Sequence, residues 1–201
     1  MTLELTSLYN RIQPENVART LGIKNQDLAK LLLSCEALHP HFEAALQKKI
    51  GEAGDVYDPV LALIMSSQVS DLGPLLRSVA LVLNAHVLAK LSSAGDVADL
   101  MEWAGSPQIF PQIKEASQRP ATRFPQVAVA CREELERYLE QLQGLIYGLL
   151  TKEQFQWFLL TVPEDQAPNY VPFPEHSAGK EEFKALLHDV HRTLVEGQPS
   201  S

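Results

Sequence analysis

His188, Asp189 and His191 lie close together, and on a helix positions i and i+3 share a face. Two imidazoles and a carboxylate so placed are a fragment of a metal site. The ligand set is incomplete, and exposed polar positions on a last helix account for these residues. His39 and His41 flank Pro40 and read as a turn. Asn84 and His86 interrupt an apolar run, where such a pair could hold a ligand. A buried polar contact to backbone or to a facing helix is the simpler reading. Cys35 and Cys131 are the two cysteines, and neither has a C-x-x-C partner. They read as buried thiols within helices in a reducing cytoplasm. The chain has no glycine-rich phosphate loop, nucleophile elbow or H-E-x-x-H. No catalytic, cofactor-binding or metal-binding residue is assigned, and an enzyme is not expected.

Two stretches offer surfaces to a protein partner instead. Glu133, Glu134, Glu136 and Glu140 give one helix an acidic start, where the helix dipole favours negative charge. Residues 162–177 form a proline-rich strap with Pro163, Pro168, Pro172 and Pro174, and Tyr170 and Phe173 are its candidate exposed aromatics. An unstructured loop of that length is uncommon and often functional. A third stretch has the texture of a helix-turn-helix: Val17, Ala18, Leu21, Gly22, Ile23, Leu28 and Leu31. Its second helix carries only Lys30 as a cation, and residues 1–36 hold four basic and four acidic groups. A DNA reader needs more phosphate contacts than that. With a net charge of −8 over 201 residues, the chain is expected to bind no nucleic acid and to dock, if anywhere, on a basic partner.

These residues need a scaffold, and residues 74–91 are its centre. Pro74 opens the run and apolar residues cover almost its whole circumference, which predicts a central helix surrounded by others. Arg77, Asn84, His86 and Lys90 interrupt it, so insertion into a membrane is not expected. The expected fold is all-α, a multi-helix bundle. Periodicity and capping residues predict helices over 14–21, 25–38, 41–50, 59–69, 74–91, 96–104, 107–117, 126–150, 152–160 and 179–196. Leu28, Leu31, Leu32 and Cys35 are the expected buried stripe of the second. Leu135, Tyr138, Leu142, Leu145 and Leu149 make a short a/d seam on the longest, and Gly144 permits close approach of another helix. Residues 119–125 read as a linker between an N-terminal bundle, 1–118, and C-terminal helices, 126–201, packed on it as one compact domain. The opening MTLELTSLYN lacks the basic and apolar regions of a signal peptide.

Around the central run, LLRSVALVLNAHVLAKL followed by two serines, an acidic turn and the short helix 97–105, the chain resembles the SctK (YscK) family. These are small helical adaptors of bacterial type III secretion sorting platforms. The opening LYNRIQPENV is also similar to an aromatic-Asn-x-x-Pro segment of that family, with one extra residue between Asn10 and Pro14. Outside residues 5–115 the likeness is weak, and the 126–150 helix carries more acidic residues than the family shows. The resemblance implies a non-enzymatic cytoplasmic adaptor, held near the inner membrane through protein partners. Those partners would be the cytoplasmic domain of the ring protein and the SctQ and SctL components of the pod. Two alternatives stand beside it. One is a helix-turn-helix regulator using residues 13–38. The other is a small all-helical metal-dependent hydrolase, because His188-Asp189 is similar to the dipeptide of the HD phosphohydrolases. That family needs an earlier His and a later Asp, and here no Asp follows Asp189.

Overall fold

The computed structural model describes residues 10–52, 54, 56–67, 72–91, 93–120, 123–173 and 178–196. Among them are eleven α-helices and no strand, so the fold is all-α. The helices are α1 (Pro14–Leu21), α2 (Gln26–Ser34), α3 (His39–Ile50), α4 (Pro59–Ser66), α5 (Gly73–Leu83), α6 (Ala85–Leu88), α7 (Ala94–Ala104), α8 (Phe110–Gln118), α9 (Arg132–Tyr147), α10 (Lys152–Leu159) and α11 (Ala178–Glu196). The chain divides into two compact units, each discontinuous in sequence. One is Met1–Val69 with Tyr147–Pro172, and the other is Ser70–Ile146 with Phe173–Ser201. The division expected at 119–125 thus falls inside the second unit, because the chain returns to each unit after visiting the other.

The first unit holds α1 to α4 and α10. Pro14 opens α1, and Gly22 closes it at φ 70° while the Ile23 N–H returns to the Ala18 carbonyl at 2.7 Å. Only a residue that tolerates the left-handed region fits that stop. Asn25 caps α2 through the Asp27 N–H, and Asp58 caps α4 through the N–H groups of Val60 and Leu61. Thr151 and Gln154 form the expected capping box of α10. The core is apolar and aromatic, with Leu46, Ile64, Met65, Trp157 and Phe158 all but inaccessible. Asn16, Ser67 and Thr161 are its buried polar residues among those described. The side-chain amide of Asn16 donates to the carbonyls of Leu159 at 2.9 Å and Val162 at 2.7 Å. Leu159 is the last residue of α10, where helix acceptors run out of intrahelical partners, and Val162 lies in the turn that follows. Trp157 donates its indole N–H to the Gly51 carbonyl at 2.9 Å, and so fixes the turn after α3.

The second unit is built around α5. Leu75, Leu76, Val79, Ala80, Leu81 and Leu83 are all buried, and α7, α8 and α11 pack against it. The central apolar helix is therefore present but shorter than its hydrophobic run. Asn84 splits it into α5 and α6. Its amide donates back to the Ala80 carbonyl at 2.8 Å, and its side-chain oxygen accepts from the Val127 N–H at 2.8 Å. The Gln126 amide donates to the Leu83 carbonyl at 2.9 Å. A second departure lies here. The helix expected from 126 begins only at Arg132, and residues 126 and 127 are instead tied to the break in the central helix, Gln126 through its side-chain amide and Val127 through its backbone N–H.

Smaller departures have local causes. Ser93, not Asp96, caps α7 by accepting from the Asp96 N–H. Cys35 and Cys131 are free, half-buried thiols just outside helices rather than within them. Leu135, Tyr138 and Leu142 bury the seam of α9 in the second unit. A Cβ at Gly144 would meet nothing within 4 Å, so the close approach is not made there.

Candidate interaction surfaces

The histidines do not assemble. Asp189 is paired with Arg192 at 2.8 Å, and both His188 and His191 are half-buried on α11 rather than exposed. Burial lowers the His191 pKa from its ordinary 6.5, and the neighbouring His188 adds to that. No group of three His, Cys, Asp or Glu side chains is placed to share a metal ion among the described residues. His39 donates from Nε2 to the Leu33 carbonyl at 2.9 Å, which secures the turn into α3. His86 has its Nε2 buried without a hydrogen bond among the described residues, whereas Asn84 is bonded through both its amide nitrogen and its oxygen.

The acidic start of α9 is exposed but partly neutralised from within. Arg132 pairs with Glu136 at 2.8 Å and Arg137 with Glu134 at 2.6 Å. Glu136 raises the Arg132 pKa through that hydrogen bond and its charge. Glu133 is held below the usual carboxylate range by its own backbone N–H, then by Cys131, with Arg132 and Arg137 adding a smaller pull. Of the four glutamates, Glu133 and Glu140 are left exposed without an ion pair among the described residues. Exposed pairs at i,i+3 and i,i+4 contribute only tenths of a kcal/mol, so this face presents alternating charge rather than a uniform acidic field.

The strap aromatics are turned inward. Tyr170 stacks on Phe155 with ring centroids 4.7 Å apart and donates to the Leu150 carbonyl at 3.2 Å. Phe173 is 9% exposed and packs on Phe183. Neither offers the free ring expected from the sequence, because each has aromatic neighbours that bury it. Val171, between them, is the exposed apolar residue of that stretch. Pro174 and residues 175–177 lie outside the described residues.

A surface not anticipated from the sequence lies on α2. Leu28 is 46% exposed and Leu31 57% exposed, one turn apart, while Ala29 is the buried residue of this helix. The expected stripe is therefore rotated. The cause is legible in the segment QDLAKLLLS. Apolar residues at 28, 29, 31, 32 and 33 span more of the circumference than one contact face takes. Ala29 takes the buried position of α2, which packs on α1 and α3, and Leu28 and Leu31 are left outside. Asp27 and Lys30 flank them as a long 3.8 Å pair.

No helix among the described residues is long and apolar enough to cross a membrane. No family model, no curated protein and no solved structure matches this chain.

Proposed function

We propose that this protein is a non-enzymatic adaptor, a small helical subunit that joins other proteins in the manner of the SctK family. In that role it links the cytoplasmic domain of the inner-membrane ring protein to the SctQ- and SctL-like components of a type III secretion pod. The observation that supports a binding role is the Leu28–Leu31 pair, two large apolar side chains left in water one helical turn apart. Such a pair is a compact anchor for a partner. It also speaks against the regulator. A recognition helix presents polar and basic groups to DNA, whereas the outward side of α2 carries two leucines and Lys30 already paired with Asp27.

The test is affinity capture from cells assembling the secretion apparatus. Wild type should recover the ring protein and pod components. Leu28→Ser with Leu31→Ser should lose at least one of them while keeping its melting temperature, since exposed substitutions cost little. Capture of no apparatus component by wild type would refute the reading. Salt-sensitive retention on DNA would replace it with the regulator.

A further inference from the structure

A half-open groove of about 250 Å³ runs between α6, α7 and α8 in the second unit. Its walls are Leu88, Leu91, Val97, Met101 and Phe110, and Lys114 is its charged lining residue. Phe110 stands at the start of α8 with 47% of its surface exposed. Lys114 makes no ion pair among the described residues, unlike Arg119, just after α8, and Arg192 of α11, which pair with Glu115 and Asp189.

We propose that this groove receives an amphipathic helix of a partner protein, with apolar anchors in the trough and a carboxylate on Lys114. Three features point to that occupant. The walls are three helices with an apolar floor, the shape into which a helix lays residues at i, i+3, i+4 and i+7. Methionine and aromatic walls adapt to such side chains. The volume is smaller than that of a typical enclosed ligand site, and suits a few anchoring side chains rather than a whole small molecule. Lys114 then sets the sign: an ammonium with no ion pair among the described residues, at the edge of an apolar trough, selects a helix bearing an acidic residue over one bearing a basic residue. The groove lies in the second unit, apart from the leucine pair of α2 in the first, and its test does not depend on the secretion reading.

The probe is a fluorescent synthetic helix of about sixteen residues, long enough for four turns, with leucines at i, i+3, i+4 and i+7 and one flanking glutamate. A matched peptide carries lysine in its place. Anisotropy with the full chain should show saturable binding, with the glutamate peptide preferred by about two- to fivefold. Lys114→Glu should reverse that preference. Met101→Lys should weaken binding by about tenfold or more; if it does not fold, Phe110→Ser, at an exposed ring, serves instead. Absence of saturable binding overturns the proposal. So does a preference that Lys114→Glu leaves unchanged, or equal affinity in both groove variants. Self-association of the chain that Met101→Lys abolishes would assign the groove to a second copy and also overturn it.

Discussion

The side-chain oxygen of Asn84 accepts the backbone N–H of Val127 at 2.8 Å, across 43 positions of sequence. The same residue returns its amide to Ala80 and ends α5. One buried side chain thus breaks the central helix and anchors the segment that leads into α9. Asn84→Ala should cost about 2 kcal/mol, since it leaves the Val127 N–H buried and unpaired. For a chain of this size that is a fall of roughly 4–8 °C in Tm. Asn84→Asp should be at least as damaging at neutral pH, because a buried carboxylate would face the Ala80 carbonyl without a proton to share. Its deficit should shrink on acidification, which urea midpoints at two pH values would show.

The turn after α3 offers a second test. Gly51 sits at φ 87°, and a Cβ there would come within 2.6 Å of Glu153 Cγ. Gly51→Ala should therefore cost about 1–3 kcal/mol, because φ 87° with ψ 171° is a conformation that essentially only glycine adopts. Because Trp157 donates to the Gly51 carbonyl, the loss should appear in tryptophan fluorescence during urea unfolding.

Tyr138 supplies an alkaline signature. Burial pushes its pKa from 10.0 up to about 12, and its hydroxyl donates to the Pro125 carbonyl at 2.7 Å. The raised value means that its contribution to stability is whole below pH 10 and is lost as pH climbs toward 12. Ultraviolet titration of the folded protein should show this phenol ionising late, and Tyr138→Phe should remove that late component.

His191 works in the opposite direction. Its pKa is lowered in the fold, so the unfolded chain takes up the proton first as pH falls through 6.5. The contribution is present above that pH and is lost below it. His191→Gln should flatten the acid side of the stability profile, measured as urea midpoint between pH 7 and pH 5.

Much of this architecture is legible in the sequence. Pro14, Gly22, Asn25, Asp58 and Thr151 mark helix ends because their chemistry is local: a fixed φ, a left-handed stop, a side chain that caps. What resists reading is set by distant partners. A lone Asn in an apolar run signals a buried polar contact, but not that the contact is Val127. Asn16 gives no sequence signal for its three-carbonyl contact at the end of α10. Tyr170 and Phe173 look free beside prolines, yet Phe155 and Phe183 cover them. The leucines of α2 were the missed surface. Their excess over one contact face is visible in the sequence, but which side is left in water depends on how α2 meets its neighbouring helices.

Site-specific photocrosslinking at position 31 tests the adaptor reading most directly. Leu31→benzoylphenylalanine places the reactive group on the exposed face of α2 without touching the core. In cells assembling a secretion apparatus, an adduct is expected with the ring protein's cytoplasmic domain or a pod component. A control at an exposed residue elsewhere, such as Glu181 on α11, should give none. Crosslinks from position 31 to DNA, or to no apparatus protein at all, would contradict it.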